Sequence, residues 1–295
     1  MIYAVLCSGN LGFNILSNLY NELKIKFVFT DNKSTDIINF CKENNILLFK
    51  GNPRNGKANE FIANNKLATK KVDVIISVNY LFIIDKQIID LASKIAFNVH
   101  GSLLPKYRGR TPHVWSIINN EKYAGITAHI IDNGCDTGDI IEQVKFRIGS
   151  KDTGASLLEK YNLIYLPLIK KVISKINSNS VILKKQNNLK ATYFGKRVPE
   201  DGQINWDWQK ERIYNWVRAQ AYPYPGAFTH FNQQKLVIDE VRFSNFGFNY
   251  NLENGKILSL NPLIVKVQNG CLEIIKYRGD LQNIKLNEVF KNDNR

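Results

Sequence analysis

The chain has 295 residues, of which 44% are hydrophobic and 22% charged, proportions that exclude a disordered or fibrous protein. At about 150 residues per domain, this length predicts two domains. The formal net charge of +14 is compatible with a polyanionic partner. However, the lysines lie in segments that read as solvated faces and connectors, which favours a small phosphate-bearing substrate over nucleic acid.

The longest apolar stretch, residues 72–84, is shorter than the roughly 20 residues of a transmembrane helix. The first residues lack a basic leader followed by a small-residue cleavage site, so we expect a cytoplasmic protein. The four cysteines lie far apart, which fits neither a disulfide framework nor a zinc site, and we interpret them as reduced thiols. A nucleophilic role for Cys135 is open, but we favour a small filler residue in a tight loop.

In the first part of the chain, buried-strand patterns alternate with amphipathic helical patterns. The predicted strands are 2–6, 25–29, 46–49, 72–77 and 95–99, and helices are predicted after Gly12 (with Phe13, Leu16, Tyr20 and Leu23 on the apolar side), at 35–44 and at 85–93. The turn with Gly9 and Gly12 lacks the full spacing of a dinucleotide fingerprint. The alternation predicts an α/β fold with a mostly parallel, Rossmann-like sheet and helices on both faces.

The second part predicts two further strands and then a change of architecture. Strands at 125–131 and 139–146 precede a long helical pattern through 157–173 and a polar surface connector at 177–190. Beyond a helix at 209–219, short strand-like runs at 227–231, 236–243, 263–267 and 272–277 predict a small, mainly β, OB-like barrel. We therefore expect a domain at 1–195 and a second at 196–295.

A polar constellation stands where the strand at 95–99 ends. Asn98 and His100 are two residues apart, so on a strand both side chains lie on one face. Asp136 follows in a polar loop and supplies a carboxylate that orients an imidazole. An amide and an imidazolium together donate to an oxygen that gains negative charge, which points to acyl transfer without a covalent nucleophile.

The same residues admit three other interpretations. A hydrolase with Ser102 as nucleophile lacks the Gly-x-Ser-x-Gly elbow that would expose the hydroxyl. A hydrogen-bonded core histidine stays open for His100 on spacing alone. The remaining histidines, His113, His129 and His230, show no ligand spacing with His100, so we predict no metal.

These motifs resemble those of the folate-dependent formyltransferases. The resemblance rests on the Asn98-x-His100 strand end, the loop Ser102-Leu-Leu-Pro-x-x-Arg-Gly109 and the later Asp136-Thr-Gly. It continues through 125–127 and, in the second part, through 201–206, 215–219 and 224–228. The similarity thus covers nearly the whole chain.

The resemblance implies that N10-formyltetrahydrofolate gives its formyl group to an amine. Asn98 and His100 would then hold the developing oxyanion, while Asp136 would orient His100 and help remove the amine proton. The segments that match the pterin-holding segments of relatives contain Ser77, Tyr80, Leu81, Ile83, Asn133, Gly134 and Cys135.

The acceptor is expected to be a nucleotide-linked amino sugar, with a dTDP- or UDP-linked 4-amino sugar as first choice, in cell-envelope polysaccharide (O-antigen or lipopolysaccharide) synthesis. The chain lacks the long basic insertion after the second strand that members acting on methionyl-tRNA usually carry. Methionyl-tRNA formylation is the second expectation, and a non-enzymatic RNA-binding module the third.

Cations and aromatic residues near the motifs are the predicted substrate contacts, because guanidinium groups bind pyrophosphate by paired hydrogen bonds. The candidates are Ser102, Lys106, Tyr107, Arg108 and Arg110, with Lys196, Arg197 and Arg218 farther along the chain. Relatives often pair, so we also expect a homodimer.

Overall fold

A computed structural model of the chain describes residues 1–231, 234–281 and 284–292. They form two compact units. The first unit contains residues 1–109, 125–145 and 161–193, and the second contains 110–124, 146–160 and the described residues from 194 onward. The domain boundary expected at residue 195 stays a prediction. None of the helices in the described ranges combines the length and apolar character needed to cross a membrane.

The helices and strands are numbered here in chain order. The strands up to residue 194 are β1 (Ile2–Cys7), β2 (Lys24–Thr30), β3 (Leu47–Lys50), β4 (Val72–Val78), β5 (Ala92–His100), β6 (Arg108–Gly109), β7 (Tyr123–Ile130), β8 (Ile140–Arg147) and β9 (Tyr193–Phe194). The later strands are β10 (Ala227–Phe231), β11 (Gln234–Ser244), β12 (Ile257–Leu260), β13 (Leu263–Val267) and β14 (Gly270–Arg278). The helices are α1 (Gly9–Tyr20), α2 (Thr35–Glu43), α3 (Lys57–Asn64), α4 (Lys86–Ile89), α5 (Pro112–Ile118), α6 (Gly154–Asn177) and α7 (Lys210–Gln220).

The first unit is built on a sheet with the strand order β3-β2-β1-β4-β5-β7-β8. The pairs from β3 to β5 are parallel, whereas β5 pairs with β7 in the antiparallel sense. This architecture confirms the predicted fold class. In such sheets ligands bind beyond the carboxyl ends of the strands. A site is therefore expected beyond the carboxyl ends of β4 and β5.

Continuous burial explains why β1 is apolar along its length and why β4 is apolar apart from Asp73 and Ser77. Helices cover the parallel sheet, so side chains on both of its faces avoid water. The buried face of α1 is formed by Ile15, Leu16 and Leu19, whereas Leu23 of the predicted face lies beyond the end of the helix. The helix predicted at 85–93 is too long, because α4 ends at Ile89 and β5 begins at Ala92.

The second unit packs α7 against a five-stranded antiparallel sheet with the order β10-β11-β14-β13-β12. Strand β12 was not predicted. The fully buried Trp206 lies at the centre, and its indole Nε1–H donates to Thr229 Oγ1 at 3.1 Å. A buried indole that keeps a hydrogen-bond partner combines a large apolar contact with no unsatisfied polar atom.

Candidate active site

Strand register places the polar side chains of β5 beside those of β7. Asn98 pairs with His129 and His100 with Thr127 across the antiparallel pair, while Ser77 of β4 pairs with Asn98 on the other side. Side chains of directly opposed residues lie about 5 Å apart, so they interact. The end of β5 is therefore flanked by polar groups from both neighbouring strands.

Asp136 reaches this strand end from the loop between β7 and β8. Its backbone φ is 56°, a left-handed conformation that aspartate tolerates better than most residues. One carboxylate oxygen, Oδ2, accepts the Gly109 N–H at 2.9 Å and lies 3.5 Å from His100 Nδ1. The other, Oδ1, lies 3.5 Å from His129 Nε2. The carboxylate thus sits between two imidazoles.

His129 is a site residue that sequence reasoning missed, because it was considered only as a metal ligand. Its Nδ1–H donates to the Ile130 carbonyl at 2.8 Å, which leaves Nε2 to accept from Asn98 Nδ2 at 3.2 Å. His129 Nε2 therefore lies within 3.5 Å of both the Asn98 amide and the Asp136 carboxylate. Polar residues at 127 and 129, two apart within an apolar strand pattern, were the signal that could have identified it.

His100 is buried and both of its ring nitrogens face protein groups. Its Nε2–H donates to the Tyr107 carbonyl at 2.8 Å, so in the neutral ring the Nδ1 lone pair faces Asp136. Burial lowers the pKa of His100 below its usual 6.5, although the Asp136 charge and the Tyr107 carbonyl act in the opposite direction. Burial thus favours the neutral form of the imidazole, which is the form that can accept a proton.

Asp136 remains ionised beside this ring. Burial by itself would raise the pKa of Asp136, but His100, His129 and the Gly109 N–H outweigh burial and hold the pKa well below its usual range. An ionised carboxylate next to a neutral imidazole is a pair that takes up one proton. In this side-chain conformation His100 does not offer the direct hydrogen bond to a formyl oxygen that the sequence predicted. The second N–H of the Asn98 amide can supply that bond.

The residues expected to hold the pterin divide into buried and exposed groups. Ser77 is buried, and the Tyr80 ring packs against the core cluster of the first unit, so neither offers its side chain to a ligand. Leu81 and Ile83 are 41% and 60% exposed just beyond β4, and residues 133–135 are exposed just before Asp136. Exposed aliphatic side chains and backbone fit a flat aromatic ring. A Cβ on Gly134 would lie 2.0 Å from Thr137 Oγ1, so this loop needs glycine.

The predicted substrate contacts of the first unit are mostly not available. Arg108 is 1% exposed and its guanidinium binds neutral side chains of the protein, and Ser102 is buried with its hydroxyl donating to the Lys106 carbonyl at 2.6 Å. Tyr107 is buried too, and it contributes its carbonyl to His100. Burial therefore argues against the prediction that Arg108, Ser102 and the Tyr107 side chain contact substrate. The Lys106 side chain is exposed.

In the second unit, Arg110 and Lys196 are exposed, whereas two predicted arginines stabilise the fold. The Arg197 guanidinium lies 5.0 Å from the Trp115 ring centre and 4.5 Å from that of Trp216. Arg218 donates to the carbonyls of Gly149 and Asp152 at 3.1 and 2.6 Å. Arg218 is accordingly no longer a candidate for the pyrophosphate.

Two family profiles match the chain. Residues 15–163 match the family described as Formyl transferase, and residues 196–293 match its C-terminal domain. A curated relative, the bifunctional polymyxin resistance protein ArnA of Wigglesworthia glossinidia brevipalpis, is 33% identical over 272 residues. That alignment covers 91% of this chain, which spans 40% of the length of the relative.

Solved structures of sugar formyltransferases are similar to the chain over most of its length. One is WlaRD, a sugar 3N-formyl transferase solved with dTDP and 5-N-formyl-THF, at 26% identity and a TM-score of 0.69, covering 95% of this chain and 99% of that one. Another is an N-formyltransferase from Helicobacter canadensis in complex with folinic acid and dTDP-3-aminofucose, at 25% identity and a TM-score of 0.71, covering 94% and 100%.

Proposed function

The chain belongs to the formyl transferase family, and from that premise we propose that it transfers a formyl group from N10-formyltetrahydrofolate to the amine of a nucleotide-linked amino sugar. Membership confirms the resemblance drawn from the sequence motifs and makes the protein an enzyme. The observation that carries the proposal is the joined set of Asn98, His129, Asp136 and His100 at the end of β5.

This set is suited to the addition of an amine to a formyl carbon. The amine nitrogen forms a bond to that carbon while the Asn98 amide N–H donates to the formyl oxygen as it gains charge. The amine proton passes to the pair of His100 and Asp136, since the imidazole is neutral and the carboxylate is 3.5 Å away. The bond from carbon to N10 then breaks, and N10 takes a proton as tetrahydrofolate leaves.

The formyl donor fits the exposed groups beside this set. Leu81 and Ile83 follow the strand that pairs with β5, and residues 133–135 precede Asp136, so both segments border the reacting groups. Apolar side chains and backbone donors and acceptors are what a pterin ring requires. The two solved relatives were crystallised with 5-N-formyl-THF and folinic acid, which supports the same class of donor here.

The acceptor is the less determined of the two substrates. The sequence motifs favour a 4-amino sugar carried on dTDP or UDP for cell-envelope polysaccharide synthesis. By their names, WlaRD acts at N3 and the Helicobacter canadensis enzyme was solved with dTDP-3-aminofucose, so both positions belong in the test. Lys106, exposed beside the Asp136 set, is the proposed pyrophosphate contact, while Arg110, Lys196 and Arg197 stay predictions from the sequence.

The test is turnover with N10-formyltetrahydrofolate and a panel of acceptors. The panel contains dTDP-linked 3-amino and 4-amino sugars, UDP-linked 4-amino sugars and methionyl-tRNA, with product identified by mass and tetrahydrofolate release followed by absorbance. We expect one sugar nucleotide to be formylated with the highest kcat/KM. Product with charged tRNA and with no sugar would refute the proposal. Light scattering of the same sample tests the proposed homodimer.

A further inference from the structure

The connector that the sequence predicted to be a surface segment carries a side chain that holds the Asp136 loop. Gln186 Nε2–H donates to the carbonyls of Asp136 and Gly138 at 2.9 and 2.7 Å. Its Oε1 accepts from Arg108 Nη2 at 2.7 Å and from Arg108 Nε at 3.2 Å. One amide thus bridges the loop of Asp136 to β6, which contains Arg108.

Arg108 is itself fixed from several directions. Its guanidinium also donates to Asn188 Oδ1 at 2.9 Å and to the Tyr193 hydroxyl, and its backbone N–H donates to the Thr192 carbonyl at 2.9 Å. Arg108 is 1% exposed, and the side-chain acceptors named above, on Gln186, Asn188 and Tyr193, are all neutral, so the guanidinium is costly to keep buried. A group retained at that cost is expected to have a role beyond packing.

The two segments joined in this way are the ones that contact His100. Tyr107, just before Arg108, supplies the carbonyl for His100 Nε2, and Gly109, just after it, donates to Asp136 Oδ2. Tyr107 and Asp136 both have left-handed backbones, with φ of 61° and 56°. Such conformations are strained for residues other than glycine and persist only where surrounding contacts enforce them.

We propose that Gln186, anchored by Arg108, is a positioning residue that fixes the Asp136 carboxylate against His100. Both ends of its amide are bonded to protein groups, so it acts by holding the backbone of the Asp136 loop at the distance set by Arg108 in β6. The proposal rests on the proposed function only where formyl transfer serves as a readout.

The pKa of His100 reports how close the Asp136 carboxylate lies to the ring. The titratable groups near His100 are Asp136 in its loop and His129 from β7, while Tyr165 from α6 and Cys135 lie near Asp136. Of these, the Asp136 carboxylate raises the pKa of His100, against the larger effect of burial. If the carboxylate moves away from the ring, the pKa of His100 falls and its titration moves to lower pH.

The experiment uses Gln186→Glu and Gln186→Leu in the full-length protein, with Gln209→Leu as the matched control because Gln209 is exposed and makes no capping bond. Gln186→Glu keeps the acceptor for Arg108 but loses the donor to the two carbonyls. The measurements are Tm, kcat and KM for formyl transfer, and the NMR titration of His100, with His113 as an internal reference from the second unit.

In Gln186→Leu, which adds no charge near the ring, we expect unchanged KM values, a fall in kcat of about 10²-fold beyond any loss of folded protein, and a lower titration midpoint for His100. Gln186→Glu should show the same fall in kcat, because its carboxylate cannot donate to the two carbonyls, and both variants should have a lower Tm, because each loses those two hydrogen bonds. The proposal is overturned if Gln186→Leu keeps wild-type kcat and an unmoved His100 titration. It is also overturned if activity falls only in proportion to the folded fraction. If the wild-type enzyme formylates no acceptor, the proposed function fails while the titration still reports on positioning.

Discussion

Asp136→Asn removes one negative charge from the centre of the site and leaves a side chain of nearly the same size. Asparagine still offers an oxygen to the Gly109 N–H, so the loop keeps its anchor at 2.9 Å. What is lost is the attraction between the carboxylate and the imidazolium that forms when His100 accepts the amine proton. The change therefore tests the chemistry with little effect on the fold.

The size of the effect follows from the distance between His100 Nδ1 and Asp136 Oδ2. At 3.5 Å and an effective dielectric constant of about 20, opposite unit charges attract by ~5 kcal/mol. At about 1.36 kcal/mol per tenfold, this energy corresponds to a rate factor between about 10³ and 10⁴. Asparagine keeps a hydrogen-bond acceptor near the ring, so we expect kcat to fall by about 10³-fold, within the usual range for general acid–base catalysis.

The assay is steady-state formyl transfer from pH 5 to pH 9, with Asp36→Asn as the control because Asp36 is exposed in α2. Without the Asp136 charge the pKa of His100 falls further, so the acid limb of the rate profile should move to lower pH as the plateau drops. Far-UV circular dichroism and Tm should match the wild type. A folded Asp136→Asn protein whose kcat stays within about tenfold of the wild type would contradict the proton-transfer role.

Further predictions concern neighbouring groups. Asn98→Ala should lower kcat by about 10²–10³-fold, because one oxyanion donor is worth about 2.7–4 kcal/mol; an unchanged kcat at unchanged KM would exclude that role. His129→Gln should lower kcat by less than Asn98→Ala, and equal losses would show that His129 does more than link Asn98 to Asp136. Lys106→Ala should raise KM for the sugar nucleotide, leave KM for the formyl donor unchanged, and make the former KM less sensitive to salt. Burial lowers the pKa of His113 to about 4, so the unfolded chain binds a proton first as pH falls below 6.5. Stability should then drop by ~2 kcal/mol between pH 7 and pH 5, measured by urea denaturation, and His113→Gln should lose that part of the pH dependence.

The parallel sheet could be predicted because strands buried on both faces must be apolar along their length, as at 72–77 and 95–99. Helix ends were predicted less well. The pattern at 85–93 is apolar enough for a longer helix, yet the pairing of β5 with β4 takes over from Ala92. The short strand β12 was missed because four residues carry too little alternation to distinguish them from a loop.

Within the site, Asn98 and His100 could be placed on one face from their spacing alone, because the strand period is two residues. Their meeting with Asp136 was expected from the resemblance to known enzymes, and the distance of 3.5 Å between the ring and the carboxylate belongs to the folded chain. The sequence did not identify His129 as a site residue because its partner, Asn98, lies on another strand. Because sequence does not show whether a guanidinium is buried, it could not distinguish the structural Arg108 from a phosphate contact.

The sequence by itself determined most of the strands and the longer helices, and which polar side chains share a strand face. Those properties depend on the local periodicity of the backbone. Only the tertiary structure decided that His129 completes the site, that Arg108 faces inward and that Gln186 holds the Asp136 loop. Each of these depends on the register between distant segments and on the burial of a polar group, quantities that exist only once the chain has packed.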